Sequence, residues 1–211
     1  MPLYLFEVIG LRERKKQQNR REIFEASQRL FAKRSFEAVT VAEVAQAANV
    51  SEMTVYNYFP TKEDLFYAGM QFFEEQLVEA VRNRARGESA LKAFRRRVLE
   101  GAANLETKGR AEGILRAEKA IGASPSLRAR EREIVEDYTR RLAAVLGGDN
   151  DVEALAVAAA MMAVHRSLVS YIRGQVMAGR RRTALAEEFR TQARRAFARL
   201  ERGLGDYSVR L

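Results

Sequence analysis

The stretch TVAEVAQAANVSEMTVYNYFPTKEDL, residues 40–65, carries three helix-start signals in close succession. Thr40 and Thr61 are each followed three residues later by an acidic residue, a spacing typical of a capping box at the beginning of a helix. Ser51 is a preferred N-cap residue and precedes a further set of helix-forming residues. The stretch therefore predicts two short helices, followed by the beginning of a longer one.

The segments on either side of Asn49 complete a known motif. Asparagine tolerates the left-handed backbone that a tight turn after a helix requires, and Asn49 lies between the two short helices. Upstream, residues 22–34 place apolar side chains and one serine on a single helical stripe, which indicates an amphipathic helix with a buried face. Such a helix, followed by two short helices with a tight turn between them, is a helix-turn-helix, whose second helix enters the DNA major groove.

The second short helix carries small and hydrogen-bonding side chains, which a helix that reads base edges needs. The candidate DNA contacts in and around it are Thr40, Ser51, Met53, Thr54, Tyr56, Asn57, Tyr58 and Lys62. Lys62 begins the next helix, where its charge and the free backbone N–H groups both favour a phosphate. Thr40 has the alternative role of an N-cap alone, and one of the two tyrosines is expected to pack against the first helix.

Basic residues are concentrated immediately before the amphipathic helix, between positions 12 and 21. Part of this cluster forms a candidate DNA arm over the phosphates or in the minor groove, made of Arg12, Arg14, Lys15 and Lys16. The alternative role of these residues is that of a solvated helix face. The formal net charge of +9 favours a polyanionic partner.

Residues 21–65 resemble the DNA-binding domain of the TetR family, the tetracycline-repressor-like regulators. The resemblance rests on apolar residues at positions 23, 24, 26, 30 and 31, then on TVAEVA at 40–45, ANVS at 48–51, TVYNYF at 54–59 and KEDL at 62–65. Asn49 and Ser35 depart from the family's pattern, because glycine is usual or frequent at both positions, but turns accommodate either residue. Met53 stands where the family often has a small residue that faces DNA, so the base preference stays open.

The resemblance implies an all-α fold of about nine helices, in which a three-helix helix-turn-helix head stands on a larger C-terminal helical domain for ligand binding and dimerisation. It also implies a homodimer that binds a palindromic operator in double-stranded DNA, and a repressor that a small-molecule inducer releases. We therefore expect an N-terminal extension at residues 1–11, the head at 12–60, the ligand-sensing and dimerisation domain at 61–205 and a tail at 206–211.

The candidate ligand pocket of the larger domain is taken from apolar and aromatic positions of its predicted helices. These residues are Phe73, Phe94, Leu99, Leu115, Tyr138, Met162 and His165. Apolar stripes at helical spacing are also typical of an ordinary core, and a core or interface role is the alternative for His165, the single histidine. Because few charges interrupt these stripes, we expect a largely apolar inducer.

Composition argues against several other classes of protein. With no cysteine and one histidine, the chain offers neither disulfides nor a multi-histidine metal site, and it shows no phosphate loop or catalytic triad. We therefore expect no enzyme, no metal and no cofactor. Two alternatives stay open, namely a DNA-binding or architectural protein without a ligand, and an activator in place of a repressor.

The same sequence predicts a cytoplasmic location without a membrane partner. Residues 1–10 lack the basic region of a signal peptide. The longest apolar run, residues 154–164, is too short to span a bilayer.

Overall fold

The computed structural model describes residues 11–148, 150–180 and 182–204, and within them the chain forms nine α-helices and no strand. The helices are α1 (Leu11–Lys33), α2 (Val41–Ala47), α3 (Glu52–Tyr58), α4 (Lys62–Arg82), α5 (Ala90–Gly101), α6 (Arg110–Ala123), α7 (Pro125–Leu146), α8 (Val152–Met177) and α9 (Arg182–Leu204). A short 3-10 helix, Ala102–Glu106, follows α5. The prediction of an all-α fold with about nine helices is confirmed. The predicted extension, apart from Leu11, and the predicted tail lie outside the described residues.

The first unit of the chain ends at Ala68 and contains α1, α2, α3 and the beginning of α4. Its core gathers apolar side chains from all four helices and from the loop after α1. The buried members are Ile23, Val39, Val41, Val44, Ala45, Val55, Phe59, Leu65 and Ala68. This unit is the predicted three-helix head, closed by the first turns of α4.

The helix boundaries of this head follow the N-caps read from the sequence. The Thr40 hydroxyl accepts a hydrogen bond from the Glu43 N–H, and the Glu43 carboxylate accepts one from the Thr40 N–H at 2.8 Å. Thr61 and Asp64 form the same reciprocal pair at the beginning of α4. Asn49 has the positive φ, 55°, that the turn between α2 and α3 requires. Local side-chain chemistry therefore sets these boundaries.

The first helix is longer than expected, because α1 begins at Leu11 and not near residue 22. Its first half, LRERKKQQNRR, consists mostly of arginine, lysine and glutamine, which are good helix formers. Pairs four residues apart support it, with Gln18 donating to Glu22 and Arg21 to Glu25. The basic cluster is therefore part of a continuous helix that runs into the head.

The second unit begins at Gly69, within α4, and contains the remaining helices. The expected boundary at residues 60/61 lies at the beginning of α4, eight residues earlier. In this unit α8 packs against α6, α7 and α9, and α5 packs against α9. The core includes the fully buried side chains of Phe94, Leu127, Leu142, Met161 and Phe197.

Helix α8 is long and apolar enough, by length and composition, to cross a membrane. It extends well beyond the apolar run at residues 154–164 from which the sequence prediction was made. One face of α8 is buried against neighbouring helices, through residues such as Val157, Met161, Leu168 and Ile172. A buried core helix has the same composition as a membrane span, and this burial favours the former.

Candidate functional site

Helix α3 is held in the head by two apolar side chains and presents its other face outward. Val55 and Phe59 are buried in the core of the head, one turn apart. On the opposite face Met53 is 70% exposed and Tyr56 is 45% exposed, and Asn57 is exposed beside them. Because these three side chains share the exposed face of a helix that is anchored from behind, this face is a candidate for recognition.

The predicted DNA contacts divide into an exposed and a half-buried group. Thr40, Ser51, Met53, Tyr56 and Asn57 are exposed. Thr54, Tyr58 and Lys62 are half-buried. Of the two tyrosines, Tyr58 is the one that packs against the core of the head. Contact of any of these residues with DNA remains a prediction.

The hydroxyls at the beginning of α3 are already hydrogen-bonded within the protein. Ser51 Oγ accepts from the Thr54 N–H at 3.1 Å, and the two hydroxyl oxygens lie 2.8 Å apart. Ser51 therefore acts as the N-cap that the sequence predicted. Because each hydroxyl has two lone pairs and one proton, both residues keep some capacity for a further partner.

Arg34, which the sequence analysis missed, ties the loop after α1 to the beginning of α2. Its guanidinium lies 2.5 Å from the Glu43 carboxylate and donates to the Ala38 carbonyl. The hydrogen bond from Arg34, together with those from Thr40, lowers the pKa of Glu43 to about 2. No sequence signal marks this contact, because nine residues and an irregular loop separate the two side chains.

Lys62 has a structural role in addition to the phosphate contact predicted for it. Its ammonium group donates to the Val39 carbonyl at 3.0 Å and lies 4.3 Å from the centre of the Phe36 ring. These contacts fix the loop between α1 and α2 against the beginning of α4. An ammonium group has three donors, so the contact with Val39 leaves capacity for a phosphate.

The candidate DNA arm lies on the first half of α1. Arg14, Lys15 and Lys16 are exposed there, whereas the side chain of Arg12 lies outside the described residues. Further along the helix, the Arg20 guanidinium stands 5.9 Å from the centre of the buried Phe59 ring. The cluster therefore lies on a helix, and contact of Arg12, Arg14, Lys15 and Lys16 with DNA stays a prediction.

Three of the predicted pocket residues meet inside the second unit. The His165 ring stacks on Phe73, with centroids 5.6 Å apart, and meets Phe94 edge-on at 6.4 Å. Burial lowers the pKa of His165 to about 4, so the imidazole is neutral at physiological pH. Its Nδ1 atom is buried and has no hydrogen-bond partner among the described residues.

The other predicted pocket residues differ in their exposure. Met162 and Tyr138 are buried, while Leu99 and Leu115 are half-buried on α5 and α6. Burial raises the pKa of the Tyr138 hydroxyl to about 12, and the negative charges of Glu75 and Glu74 contribute. Tyr138 therefore lies near α4, on the side from which Glu74 projects.

Glu74 is a second residue that the sequence analysis missed. It is 1% exposed, and its Oε2 atom accepts no hydrogen bond from any residue that the structure describes. Burial, with a smaller contribution from the charge of Glu131, raises its pKa to about 8 against the opposing charge of Arg166. An acidic residue among the apolar positions of α4 was the available signal, since buried Leu77 and Val78 follow on the same face.

Two further features bear on what the second unit can bind. Within the described ranges, no cluster of three or more histidine, aspartate and glutamate side chains is arranged to hold a metal ion. An open depression of about 450 Å³ lies along α9 and is lined by Gln192, Arg195, Ala196, Ala198, Arg199 and Arg202. Its basic lining belongs to a single helix face, unlike the aromatic interior around His165.

Comparisons with known proteins agree with the architecture of the head. A family model described as bacterial regulatory proteins of the tetR family matches residues 23–68. The chain is 27% identical over 149 residues to the HTH-type transcriptional regulator TcmR of Streptomyces glaucescens, covering 68% of this chain and 66% of TcmR. It is 27% identical over 77 residues to the uncharacterised HTH-type transcriptional regulator YuxN of Bacillus subtilis (strain 168), covering 36% of this chain and 26% of YuxN. The chain thus spans less than two thirds of the length of either relative.

Solved structures agree with the fold along most of the chain. A TetR transcriptional regulator from Rhodococcus sp. RHA1 superposes with a TM-score of 0.57 at 20% identity, covering 89% of this chain and 98% of that one. GusR of Salmonella enterica superposes with a TM-score of 0.53 at 18% identity, covering 89% and 96% respectively. The matched family and the named relatives are transcriptional regulators, in agreement with the prediction that the chain is not an enzyme.

Proposed function

The chain belongs to the TetR family of bacterial DNA-binding transcriptional regulators, and from this premise we propose that it is a homodimeric repressor, released from a palindromic operator by a small-molecule inducer. The observation that carries the proposal is the outward face of α3. There Met53, Tyr56 and Asn57 stand exposed on a helix that Val55 and Phe59 anchor from behind. A rigidly anchored helix with such a face suits the major groove.

The remaining contacts of the head are proposed to hold the DNA backbone. Thr40 and Ser51 stand exposed at the beginnings of α2 and α3, where backbone N–H groups favour phosphates. Lys62 adds positive charge beside the beginning of α2, where it contacts Val39, and the basic face of α1 adds positive charge to the head. Contacts of this kind set affinity and register, while base contacts from α3 set specificity.

The exposed face of α8 supports the proposal of a homodimer. Small side chains recur there at helical spacing, with Ala156, Ala159, Ala163 and Ser167 all exposed. Small residues let two helices approach closely, and a second copy of this chain is the occupant that the family resemblance implies. A two-fold dimer presents its two α3 helices to two half-sites, and a palindromic operator matches that symmetry.

The second unit is proposed to be the inducer-sensing domain, in a protein that acts in the cytoplasm. The stacked rings of Phe73 and His165, with Phe94 at their edge, supply the apolar surface that most ligand sites share. The unpartnered polar atoms of Glu74 and His165 favour a sensor over the alternative of a regulator without a ligand. Whether the protein represses or activates depends on where its operator lies relative to the promoter, so mapping the operator distinguishes the two functions.

The first experiment titrates the protein against its upstream intergenic DNA by fluorescence anisotropy, with nonspecific competitor and at two salt concentrations. We expect a competitor-resistant complex, and Tyr56→Ala should weaken it by about tenfold or more through loss of a groove contact. The matched control is Phe72→Ala, which removes an aromatic ring that is 59% exposed on the second unit and should leave affinity unchanged. Equal affinities for wild type and Tyr56→Ala would contradict the assignment of α3.

The two roles of Lys62 are separated by the salt dependence of binding. If Lys62 holds a phosphate, Lys62→Met lowers the slope of log K against log salt by about one counterion. An unchanged slope, together with a lower melting temperature, would instead assign Lys62 to the loop contact with Val39 alone. The expected result is a reduced slope.

A further inference from the structure

The inference concerns the bases that α3 reads, and it rests on the DNA-binding function proposed for the head. An α-helix has about 3.6 residues per turn, so side chains two positions apart lie on nearly opposite sides. Val55 and Phe59 are buried in the core of the head. Asn57, midway between them in the sequence, therefore points away from the core, and Met53 lies one turn earlier on the same side. Both are exposed, Met53 by 70%, and they form the central pair of the outward face.

The other side chains of α3 lie at the edges of this face or already have partners. Glu52 and Tyr56 each precede a buried residue by three positions, which places them at the edge nearer the core. The Thr54 hydroxyl lies 2.8 Å from that of Ser51, and Tyr58 packs against the core. The central pair is therefore the part of α3 that meets the floor of a groove most directly.

No positive charge stands on α3, whose sequence is EMTVYNY. Arginine or lysine bound to O6 and N7 of guanine is the commonest base-specific contact in the major groove. Two cations near α2 are held by other groups, since the Arg34 guanidinium lies 2.5 Å from the Glu43 carboxylate and the Lys62 ammonium donates to the Val39 carbonyl. Helix α3 therefore cannot read guanine in this common way, and its base contacts must come from uncharged side chains.

The chemistry of the central pair suits A·T base pairs. In the major groove adenine presents an acceptor, N7, beside a donor, the N6 amino group, and thymine presents a methyl group. The Asn57 amide has a donor end and an acceptor end, and it forms no hydrogen bond with any residue that the structure describes. Guanine presents two acceptors at the same edge, one of which would oppose the amide oxygen. Met53 ends in a flexible apolar thioether, and its contact with a methyl group removes both from water.

We propose that α3 reads A·T base pairs in each half-site of the operator. The Asn57 side-chain amide donates to adenine N7 and its oxygen accepts from the adenine N6 amino group, while Met53 packs on the methyl group of a thymine. Side chains one helical turn apart have Cβ atoms about 5 to 6 Å from each other, and successive base pairs rise by about 3.4 Å. The thymine therefore belongs to the same base pair as the adenine or lies within about two steps of it.

The first test selects binding sites for the full-length protein from a library of random DNA duplexes. Wild type should enrich a two-fold-symmetric site in which each half contains an adenine and a thymine at this spacing. Asn57→Ala should lose the preference for that adenine, and Met53→Ala should lose the preference for that thymine, while the rest of the site stays the same. Glu52→Gln, changed at an exposed edge position of the same helix, is the matched control and should keep both preferences.

Base analogues in the selected duplex then test the two contacts separately, with fluorescence anisotropy as the measurement. Deoxyuridine in place of the thymine removes only the methyl group and should weaken wild-type binding about three- to fourfold, with no effect on Met53→Ala. 7-Deazaadenine in place of the adenine removes only the N7 acceptor and should weaken wild-type binding about fivefold, with no effect on Asn57→Ala. An analogue that weakens its matching variant as much as wild type would overturn the proposal.

These outcomes separate the proposal from the function on which it rests. If the positions that depend on Asn57 and Met53 prefer guanine or cytosine, the reading of A·T pairs is wrong and the repressor function stands. The same conclusion follows if wild type and both alanine variants select one and the same site. A library from which wild type enriches no site would contradict sequence-specific DNA binding itself, and the proposed function would fall together with this inference.

Discussion

The head and the second unit differ in how fully their buried polar groups are hydrogen-bonded, although buried Ser89 and Ser124 of the second unit do have partners. In the head the buried Ser27 hydroxyl donates to the Phe24 carbonyl at 2.8 Å, and buried Asp64 accepts from the Thr61 N–H and hydroxyl. In the second unit Glu74 and His165 each bury an atom that has no hydrogen-bond partner among the described residues. The buried Ser27 and Asp64 of the head are thus hydrogen-bonded within the chain, whereas Glu74 Oε2 and His165 Nδ1 of the second unit have no partner among the described residues.

This difference fits the two tasks proposed for the units. A surface that docks in the major groove needs a fixed shape, and satisfied caps and a closed apolar core give the head that shape. A domain that responds to a small molecule needs an interaction that exists in one state and is absent in the other. The buried polar atoms of Glu74 and His165 give the second unit groups whose hydrogen bonding can differ between two such states.

The largest effect is expected from Phe59→Ala, which tests whether the head depends on its closed core. Phe59 is buried among residues from the other helices of the head, and its truncation should destabilise the head by about 3 to 5 kcal/mol. Hydrogen exchange of amides in residues 23–66 should accelerate, with little change in α7 and α8.

Met53→Ala is the matched control, since Met53 is exposed on the same helix and its loss should change stability by less than about 0.5 kcal/mol. If Phe59→Ala does not fold, Phe59→Leu should show a smaller increase in the rate of amide hydrogen exchange in the same residues, 23–66. Acceleration spread evenly over the whole chain would break the comparison between the two units.

The next effect concerns the pH dependence of the second unit. The folded pKa of Glu74, about 8, lies above its ordinary value of 4.5, so the folded state binds more protons between these two pH values. Wild-type stability should therefore fall as the pH rises through this window, and Glu74→Gln should remove that loss. At pH 9 the variant should be more stable than wild type by about 3 kcal/mol, and at pH 5 the two should be similar.

Urea denaturation followed by circular dichroism at both pH values measures this difference. Glu75→Gln, changed at an exposed position, should follow the wild-type curve at both. Parallel curves for wild type and Glu74→Gln from pH 5 to 9 would show that the carboxyl group has a partner in solution.

A smaller effect is expected from Thr40→Ala, which removes the N-cap of α2. The Thr40 hydroxyl accepts the Glu43 N–H, and loss of such a cap typically costs about 1 kcal/mol. Thr40→Ser keeps the hydroxyl and should restore most of that stability. Equal denaturation midpoints for the alanine and serine variants would mean that the capping box contributes nothing to the head.

The smallest effect is the acid sensitivity of the contact between Arg34 and Glu43. The folded pKa of Glu43, about 2, lies below its ordinary value of 4.5, so its stabilising contribution is complete above pH 4.5 and is lost as the pH falls through 2. Glu43→Gln has no carboxylate to protonate, so its melting temperature should fall less than that of wild type between pH 6 and pH 2. Arg34→Ala should reduce this fall too, because Arg34 is the main cause of the lowered pKa, whereas a fall equal to that of wild type in both variants would contradict the contact.

Much of the head could be predicted from the sequence, and less of the second unit. The capping pairs beginning at Thr40 and Thr61 and the turn at Asn49 act within three or four residues, so their signals are legible in the chain itself. The sequence analysis missed the first half of α1, because it placed the start of the helix at the first residues of the apolar stripe. The partners of Arg34 and Lys62 are separated from them by an irregular loop. Helical spacing rules do not apply across such a loop, so the sequence could not predict these contacts.

In the second unit the sequence identified apolar stripes but not what they enclose. Phe73, Phe94 and His165 were predicted as one group and do meet, although they come from three helices. Glu74 was missed although it shares a helical face with Leu77 and Val78, because a single acidic residue is usually solvated. The packing of the other helices shows that it is buried.

The sequence by itself determined the helix content, the caps that position α2 and α3, and the resemblance of the head to the TetR-family regulators. Each of these depends on interactions between residues close together in the chain, or on a string of residues in fixed order. Tertiary structure alone decided which tyrosine of α3 turns inward, which arginine holds the loop before α2, and that the Glu74 carboxyl group of α4 lies buried. Burial depends on what other helices bring to the same place, and the spacing along any one helix does not contain that information.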